Sequence, residues 1–400
     1  MNLLILSTKL PYPPKDGGAI ATLNLATGLA RNGFKVSMLV INTKKHYFNP
    51  NHIPKHLNDI INFHSVYRDT TPQPLNALKN LLFSNTPYIA ERFVFNEFKM
   101  ALIDLLQKED FQFVQMEGPY FAPYLKIIRQ NSNAKISLRA HNVEHRIWEQ
   151  RLKSERNPLQ RSYLSNMTKR IKNLEFSLMY QADFVVPISP EDESYFRQIL
   201  PNLNTLTIPT GINIDDYHPK KSITSKSIFF IGSLDWLPNQ EGLQWFIDKV
   251  MPLIINQHPD ISFHVAGRNA PEEFLKKLSA NPSIVYHGEV DDARTFMERY
   301  GIMAVPLLTG SGIRIKIIEG MAMGKCIVTT SLGAAGIPVK NGKHILLAND
   351  KKRFASNISL LIENHEKTTS ISKNARELIR EKFDTFALAN SLKEAYKKLV

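Results

Sequence analysis

Short apolar runs of strand length alternate with stretches of helical periodicity along most of the chain. In the first half, the runs that predict strands cover residues 3–7, 35–41, 113–116, 135–139, 184–188 and 204–208. A helix is predicted soon after the first run, at 19–31. Buried strands that alternate with helices are typical of βαβ units, in which helices cover both faces of a parallel sheet. The first half therefore predicts a doubly wound α/β domain.

A second series of strands and helices follows in the other half of the chain. Strands are predicted at 227–231, 262–266, 283–286, 303–306, 326–330 and 345–348. Helical patterns between them include 239–256 and 315–323, and an amphipathic helix at 383–400 comes last. The second half is therefore predicted to be another Rossmann-like domain of similar size.

A turn-rich segment separates the two series. Residues 210–219 contain Gly, Asn, Asp and Pro, and 220–227 are rich in Lys and Ser, which favours a surface connection. We therefore place one domain at 1–217 and the other at 222–383. Doubly wound sheets bind ligands at the carboxyl ends of their strands, so a ligand cleft is expected where these ends face each other.

Composition agrees with two globular domains. The chain has 400 residues, of which 43% are hydrophobic and 22% charged, and this excludes collagen-like, disordered and small disulfide-rich proteins. Cys326 is the single cysteine, which we expect to be buried and which favours a reducing, cytoplasmic location. No apolar window is long enough to span a bilayer, and the apolar run at 1–8 is too short for a secretory signal.

The net charge of +13 indicates either an anionic partner or merely a basic surface. Segment 146–172 is helical in pattern, with Trp148 and Tyr163 interleaved between cations. Its basic residues are Arg146, Arg151, Lys153, Arg156, Arg161, Lys169, Arg170 and Lys172. We expect this segment, with aromatic-rich 75–95, to make a peripheral contact with an anionic membrane surface or an acidic partner. No nucleic-acid-binding motif accompanies it, so nucleic acid is not expected as a partner.

Two glycines, Gly17 and Gly18, stand between the first predicted strand and its helix. At a helix start, glycines let backbone amides approach a phosphate, where the helix dipole favours negative charge. The spacing is not that of a Gly-x-Gly-x-x-Gly fingerprint. The pair therefore predicts either a phosphate contact or only a strand-to-helix turn.

A second glycine-containing turn follows the strand predicted at 303–306 and carries more charge. The turn contains Gly310, Ser311 and Gly312, and the helix behind it carries Arg314, Lys316 and Glu319. Glycines, a helix N-terminus and two cations together suit a diphosphate, and a carboxylate one turn further along is placed to accept from ribose hydroxyls. The alternative is a surface ion pair at helical spacing between Lys316 and Glu319. Apolar neighbours predict a largely buried helix, which favours the binding site.

Residues 310–325, with the sequence GSGIRIKIIEGMAMGK, resemble the donor-site helix of family-four retaining glycosyltransferases, which have the GT-B fold. Supporting segments lie at 17–18, 139–144, 210–213, 231–239, 265–268 and 287–290. Their order matches the family from end to end, so the resemblance covers essentially the whole chain. Within the family, the chain is most similar to bacterial transferases that build exopolysaccharide or cell-envelope glycans.

The resemblance implies transfer of a hexose from a nucleotide diphosphate sugar to a lipid-linked or glycan acceptor. It also implies that the first domain binds the acceptor, that the second binds the donor, and that the helix at 384–400 returns to the first domain. Residue by residue, it places Gly17, Gly18 and a helix starting near Gly312 at the diphosphate, Glu319 at the ribose, Val290 at the base, and His141 and Asn142 beside the transferred sugar.

The sequence departs from the family pattern at two places. Ser311 stands eight residues before Glu319, where the family has another Glu, which leaves the donor sugar open. The usual Arg and Lys of the loop after Gly232 are missing. We therefore expect the cations that stabilise the leaving diphosphate to be Arg314 and Lys316. Arg268 is a weaker candidate.

The predicted mechanism uses neither a metal nor a cofactor. No Asp-x-Asp motif is present to hold a divalent ion on the diphosphate, so side-chain cations and helix dipoles are expected to stabilise it. The resemblance implies front-face attack, in which the departing phosphate oxygen takes the acceptor proton and His141 positions or polarises the sugar. A general base is a less favoured role for His141. Without the surrounding motif, His141 would be interpreted as a strand-end residue bonded to backbone.

Two alternatives of different kinds remain. A sugar-nucleotide epimerase or a phosphorylase would need converging acid and base carboxylates or a cofactor lysine, and neither is evident in the sequence. A catalytically degenerate GT-B protein that binds a nucleotide sugar or acts as a scaffold subunit stays open because of Ser311. Donor binding without turnover would indicate the scaffold.

Overall fold

The computed structural model describes residues 1–219, 227–310 and 312–399, which form two compact units. The first unit comprises Met1–Gly211 together with Thr385–Val400, and the second comprises Ile212–Asp384. The two units therefore divide at Gly211, whereas the sequence places the domain boundary at 217. Tyr217 packs into the core of the second unit, together with Ile212 and Ile214.

Six parallel strands form the sheet of the first unit. They are β1 (Asn2–Ser7), β2 (Lys35–Thr43), β3 (Ile61–Arg68), β4 (Phe113–Glu117), β5 (Lys135–Ala140) and β6 (Phe184–Pro187), in the order β3-β2-β1-β4-β5-β6. The strand expected at 204–208 is wrong, because only Thr205 makes an isolated bridge there. The sixth strand is β3, which the sequence did not predict and which lies at the other edge of the sheet. One side of β3 faces solvent, and its polar residues do not form an apolar run.

Helices surround this sheet. They are α1 (Gly17–Arg31), α2 (Lys55–Asn58), α3 (Pro74–Phe83), α4 (Tyr88–Glu91), α5 (Asn96–Lys108), α6 (Leu125–Asn131), α7 (Glu144–Ser154), α8 (Pro158–Gln181), α9 (Pro190–Ile199) and, from the end of the chain, α17 (Thr385–Lys397). Gly28 of α1 permits close approach of α17, since a Cβ there would lie 2.7 Å from Thr385 Cγ2. Tyr396 of α17 stacks on Phe113 of β4, with ring centroids 4.2 Å apart. These contacts fix the last helix in the first unit.

The sheet of the second unit also has six parallel strands. They are β7 (Ser227–Ile231), β8 (Ser262–Ala266), β9 (Ile284–Tyr286), β10 (Ile302–Val305), β11 (Cys326–Thr329) and β12 (Leu346–Leu347), in the order β12-β11-β10-β7-β8-β9. The six predicted strands of this half all lie in the sheet, within a few residues of the expected bounds. Buried parallel strands have nearly continuous apolar sequences, which makes them easy to recognise.

The helices of the second unit are α10 (Leu237–Trp245), α11 (Met251–Ile255), α12 (Glu272–Ser279), α13 (Ala293–Glu298), α14 (Ile315–Ala322), α15 (Lys351–Glu363) and α16 (His365–Lys382). A π-helical segment, Phe246–Val250, joins α10 to α11, so the single helix predicted there is interrupted. Pro252 follows this segment. Proline has no N–H and its ring collides with the carbonyl four residues earlier, which accounts for the wider turn.

In each sheet the order of the strands reverses between two central neighbours. The reversal lies between β1 and β4 in the first unit and between β7 and β10 in the second. Loops that leave the carboxyl ends of such a pair run in opposite directions and open a crevice, where doubly wound proteins bind ligands. The turn before α1 and the turn before α14 both lie at such an edge.

Candidate functional site

Lys316 lies in the first turn of α14, close to the loop that follows β7. Its Nζ donates a hydrogen bond of 2.8 Å to Asn239 Oδ1 and lies 4.1 Å from the centroid of the Phe230 ring. Burial, and then the neighbouring charge of Arg314, lowers the pKa of Lys316 to about 7. A Cβ at residue 232 would lie 2.7 Å from this Nζ, so Gly232 leaves the room that the ammonium occupies.

Arg314 is the N-cap residue of α14, and the helix begins at Ile315, as the helical pattern at 315–323 predicts and three residues after the start near Gly312 that the family resemblance implies. Only 6% of Arg314 is exposed, and its guanidinium lies 5.2 Å from the centroid of the Trp236 ring. Burial lowers its pKa. A guanidinium offers no hydrogen-bond acceptor, so the Arg314 side chain does not cap the helix, although the Arg314 carbonyl accepts a hydrogen bond of 2.8 Å from Ile317 N.

Glycines shape the turn in front of α14. Gly310 and Gly312 have φ of 102° and 84°, values that residues with a side chain rarely adopt. A Cβ at residue 310 would lie 3.1 Å from the Trp236 ring and 3.2 Å from Nη2 of Arg314. The turn is therefore packed closely against the two side chains. Ser311, which the sequence places at the sugar, lies outside the described residues.

Glu319 lies one turn further along α14, where its Oε1 accepts a hydrogen bond of 2.9 Å from the Tyr217 hydroxyl. Burial raises the pKa of Glu319 above its ordinary value, although Tyr217 and Arg294 oppose the shift. The alternative of a surface ion pair with Lys316 is not observed, because Lys316 turns to Asn239 instead. Tyr217 holds the carboxyl in place and leaves Oε2 to another donor.

The remaining residues predicted in the second unit that the structure describes are Arg268 and Val290. Arg268 follows β8, where its carbonyl accepts a hydrogen bond of 2.8 Å from Leu234 N. The hydrogen bond from Ser233 lowers the pKa of Asp235, and the charge of Arg268 makes a smaller contribution in the same direction. Val290 follows β9 and packs, half-buried, against the core. Arg268 therefore lies in the connection after β8 and contacts the β7–α10 loop.

In the first unit, Gly17 and Gly18 are the first two residues of α1. Asp16 caps this helix, since its Oδ1 accepts a hydrogen bond of 3.0 Å from Ala19 N. Lys9 Nζ lies 2.6 Å from the same oxygen. Burial alone would raise the pKa of Asp16, but the ammonium of Lys9 lowers it below the ordinary value. The N-terminus of α1 therefore already holds a carboxylate of its own.

His141 follows β5, and its side chain turns to Glu117 at the end of β4. The distance from His141 Nε2 to Glu117 Oε2 is 2.6 Å. Glu117 also accepts hydrogen bonds from Thr22 Oγ1 at 2.9 Å and from Gln115 Nε2 at 2.5 Å. Burial disfavours its ionisation, yet His141 and the nearby Arg139 hold the pKa of Glu117 below its ordinary value. Asn142 lies half-buried in the turn that follows.

An ionised carboxylate only accepts hydrogen bonds. Nε2 of His141 must therefore carry a proton that it donates to Glu117, and Nδ1 is the nitrogen left for a ligand. The interpretation of His141 as a strand-end residue bonded to backbone is replaced by this side-chain pair. His141 is 22% exposed, so it is accessible while its partner is not.

Three partners of the predicted residues were missed: Glu117, Asn239 and Tyr217. Glu117 could have been noticed in the sequence, because it is a charged residue at the end of a buried strand. Asn239 and Tyr217 lie 77 and 102 positions from the side chains that they contact, and nothing local marks them. Their roles depend on which loops the sheet brings together.

Further findings concern residues 1–219, 227–310 and 312–399. Within these ranges no helix is long and apolar enough to cross a membrane. No group of three or more His, Cys, Asp or Glu side chains there is arranged to hold a metal ion. Cys326 is buried as expected, and its Sγ donates to the Thr368 carbonyl at 3.0 Å.

Comparisons with known proteins extend these observations. Residues 225–364 match the family described as "Glycosyl transferases group 1". The chain is 24% identical, over 98% of each chain, to an uncharacterized 44.6 kDa protein in the cps region of Klebsiella pneumoniae. Its structure is similar to that of sucrose-phosphate synthase from Thermosynechococcus elongatus, with a TM-score of 0.72, 17% identity and coverage of 100% and 99% of the two chains. It is also similar to that of Alr3699/HepE from Anabaena, solved in complex with UDP, with a TM-score of 0.65, 16% identity and full coverage of both chains.

The family match lies in the second unit and includes all of α14. The structural likeness extends over the whole chain and therefore includes both sheets. Two six-stranded parallel sheets with helices, in one chain, are what the GT-B fold requires. The chain has the GT-B fold, and its residues 225–364 match the group 1 glycosyltransferases.

Proposed function

We propose that this glycosyltransferase moves a hexose from a nucleotide diphosphate sugar to a lipid-linked or glycan acceptor, with retention at the anomeric carbon and without a metal ion. The observation that carries the proposal is the pair of buried or half-buried cations, Arg314 and Lys316, at the N-terminus of α14. The UDP bound to the similar HepE structure supports a nucleotide donor. The second unit is the proposed donor-binding part, and the first the acceptor-binding part.

The cations of α14 match the charge that develops when the donor breaks. As the bond between the anomeric carbon and the phosphate oxygen is cleaved, negative charge grows on the terminal phosphate. Arg314 and Lys316 stabilise it from fixed positions, and the N-terminus of α14, which the Arg314 side chain does not cap, adds the helix dipole. Such groups act in a partly desolvated setting, where each charge counts for more than in water. This arrangement supplies the stabilisation that a divalent ion would otherwise provide.

The nucleoside is the proposed ligand of Glu319. With Oε1 occupied by Tyr217, Oε2 accepts from a ribose hydroxyl, and the ionised carboxylate is needed for that hydrogen bond. A hydroxyl donor would therefore lower the pKa of Glu319, which burial now raises. Gly312 lies at the diphosphate, Val290 at the base, and Arg268 in a supporting position. Ser311 stays a proposed neighbour of the sugar.

Transfer is proposed to follow a front-face course. The acceptor oxygen attacks the anomeric carbon from the side that the phosphate leaves, and the departing phosphate oxygen takes the acceptor proton. The products are the glycoside and a nucleoside diphosphate. His141 positions a hydroxyl of the transferred sugar through Nδ1, with Asn142 beside it. Gly17 and Gly18, which have no side chains, leave room for the donor diphosphate at the start of α1, whose first turn Asp16 caps. No carboxylate nucleophile is needed in this course.

Glu117 is proposed as the positioning residue for His141. It fixes the proton on Nε2, and three further contacts hold the carboxylate itself, from Thr22, Gln115 and Arg139. A histidine held in this way presents Nδ1 in one orientation and one protonation pattern. The contact with Glu117 therefore makes Nδ1 the atom of His141 that is proposed to contact the sugar.

Release of nucleoside diphosphate tests the proposal. The purified chain is mixed in turn with UDP-, GDP-, ADP- and TDP-hexoses and with a bacterial lipid extract as the source of acceptor. The donor that raises the melting temperature is expected to be the one that is consumed, since ligand at a hundred times its Kd adds about 2.7 kcal/mol of stability. Binding without turnover would identify a degenerate nucleotide-sugar-binding protein, and no binding of any donor would contradict the proposal.

Stereochemistry and metal dependence need separate measurements. Proton NMR of the product shows whether the anomeric configuration of the donor is retained. Turnover in the presence of EDTA is expected to equal turnover with added Mg²⁺. An inverted product or abolition of activity by EDTA would contradict those two parts of the proposal and leave donor use intact.

The single buried cysteine favours a cytoplasmic setting for the reaction.

A further inference from the structure

Helix α3 exposes an apolar face that the first unit does not cover. The exposed fractions of its large side chains are 76% for Leu75, 54% for Leu78, 65% for Leu82 and 86% for Phe83. Three of them follow the spacing i, i+3 and i+7, which places them in one stripe along the helix. Isolated exposed leucines are ordinary, but four large apolar side chains on ten residues form a patch that indicates a binding surface.

Contacts on the opposite face hold α3 against the first unit. Asn80 is buried, and its Nδ2 donates to the Thr86 carbonyl at 2.9 Å and to Glu91 Oε2 at 2.5 Å. Arg170 of α8 donates from Nη1 to the Asn80 carbonyl at 3.1 Å and from Nη2 to the Leu81 carbonyl at 2.8 Å. The apolar face is therefore presented by a fixed helix.

A small hydrophobic cluster joins α3 to the basic helices α7 and α8. Its buried members are Tyr88, Met167 and Ile171, with Ala77 of α3, Ile89, Trp148 of α7 and Tyr163 of α8 packed against them. The sequence suggested that Trp148 and Tyr163 form the apolar edge of a membrane-binding helix. In the structure both turn toward this cluster, so they are not the residues available for a bilayer.

We propose that α3 is the element that enters the interface of an anionic phospholipid bilayer, with cations of α7 and α8 binding the headgroups. Interfacial helices combine an inserted apolar face with nearby positive charge. Segment 70–90 contains one charged residue, Lys79, which lies on the exposed face. On α8 the one acidic residue, Glu175, is buried. The exposed cations of α7 and α8 are Arg146, Arg151, Lys153, Arg161, Lys169 and Lys172.

Charge decides between a bilayer and a protein partner. Arg170 fixes α3 next to α8, so the apolar stripe and an excess of cations belong to one part of the surface. A second copy of this chain would bring the same cations together, and their mutual repulsion disfavours that contact. An anionic lipid surface provides apolar contact for the leucines and phenylalanine of α3 and negative charge for the cations of α7 and α8.

Flotation with lipid vesicles tests the proposal on the full chain and requires no donor. Vesicles contain phosphatidylcholine with or without phosphatidylglycerol. The unaltered protein is expected to float with the anionic vesicles and to remain largely unbound with phosphatidylcholine alone. The double variant Leu78→Asn, Leu82→Asn is expected to lose at least about tenfold in partitioning, since both side chains are exposed and their loss removes apolar contact with lipid alone.

Further variants complete the experiment. Leu237→Asn, at an equally exposed leucine of the second unit, is the matched control and is expected to float like the unaltered protein. Lys169→Glu combined with Lys172→Glu is expected to abolish the preference for phosphatidylglycerol. In a Phe83→Trp variant, the fluorescence of the introduced indole should shift to the blue and be quenched by brominated lipid.

Several outcomes would overturn the proposal. They are no flotation of the unaltered protein, equal flotation of the Leu78, Leu82 double variant, and indole fluorescence that brominated lipid fails to quench in the Phe83→Trp variant. Light scattering tests the alternative that α3 binds a second copy of the chain. That alternative would be shown if the unaltered protein is a dimer, the double variant is a monomer, and both bind vesicles equally. Because no nucleotide is involved, a negative result leaves the proposed sugar transfer untouched, and failed sugar transfer would leave this result standing.

Discussion

Helices α1 and α14 begin in comparable places, each at the carboxyl edge of a six-stranded parallel sheet and after a glycine-containing turn, yet their N-termini differ in charge. At α1, the Asp16 carboxylate caps the first turn and Lys9 neutralises it. At α14, the capping position is taken by Arg314, which offers no acceptor, and Lys316 adds a second cation. A carboxylate of the chain itself therefore caps the helix in one unit, whereas the N-cap side chain does not cap it in the other.

The two units also differ in how well their charged side chains are supported by neighbouring groups. Glu117 in the first unit is surrounded by donors that keep it ionised, and its pKa is lowered. Lys316 in the second unit has an amide oxygen and an aromatic ring as neighbours, and its pKa is lowered to about 7, which means that its charge is poorly supported. A group whose charge is poorly supported in the free protein gains most from an incoming ion of opposite sign.

The largest expected effect is the loss of cations from α14. Lys316→Met should lower kcat/KM by about 100-fold or more, as removal of a fixed stabilising group does in other enzymes. The melting temperature should stay the same or rise, because a half-buried charge is replaced by an apolar side chain of similar length. Arg314→Ala should lower turnover comparably and stability only moderately.

A matched control separates charge at the site from charge in general. Lys276→Met removes an exposed lysine from α12 of the same unit and should leave kcat/KM unchanged. Steady-state release of nucleoside diphosphate, together with thermal denaturation, checks both variants. Unchanged turnover in Arg314→Ala or in Lys316→Met would contradict the proposal that the N-termini of α1 and α14 differ in function.

The next effect concerns the carboxylate of the first unit. Glu117→Gln preserves the shape of the side chain, but the amide can donate as well as accept, so Nε2 of His141 no longer has to carry the proton. We therefore expect kcat to fall by about 10-fold or more while KM for the donor changes little. NMR of ¹⁵N-labelled imidazole should show a changed proportion of the two tautomers. Thr22→Val, which removes a single hydrogen bond to Glu117, is the control and should affect kcat far less. An unchanged tautomer with reduced kcat would argue against a positioning role.

A smaller effect is expected on the pH dependence of nucleotide binding. In the free protein Lys316 loses its proton above a pKa of about 7. A bound diphosphate favours the charged ammonium and raises that pKa, so binding takes up a proton at higher pH. The Kd for the nucleoside diphosphate should therefore rise as pH increases from neutral to mildly alkaline, by up to about tenfold per pH unit.

Calorimetry in buffers with different ionisation enthalpies measures this proton uptake directly. Lys316→Arg keeps the charge at every pH in the range, and its Kd should be nearly independent of pH. A pH-independent Kd for the unaltered protein would mean that Lys316 is not in contact with the diphosphate.

The smallest effect is expected at the N-terminus of α1. Asp16→Ala removes the cap and should lower the free energy of unfolding by about 1 kcal/mol. Because this helix is capped by its own residue, the change should alter the affinity for nucleotide by less than about twofold. Denaturant unfolding and calorimetry check the two parts. A large gain in affinity would show that Asp16 competes with the bound anion, and the two helices would then be alike in function.

Much of the second unit could be predicted because its signals are local. Buried parallel strands produce continuous apolar runs, and the turn before α14 has its glycines and cations within a few positions of one another. Edge strand β3 and the π-helical segment were missed for the opposite reason. The first is half exposed and polar, and the second depends on how the chain accommodates Pro252.

The amino-acid sequence determined on its own that there are two α/β units and that α14 begins beside two cations, since periodicity and short motifs act between near neighbours. Only the tertiary structure decided that His141 is held by Glu117, that Lys316 turns to Asn239 rather than Glu319, and that α3 leaves its leucines uncovered. Each of these depends on which strands are adjacent in a sheet and which helix faces another. Hydrogen bonds and burial at such positions are made between segments far apart in the chain, where no local pattern records them.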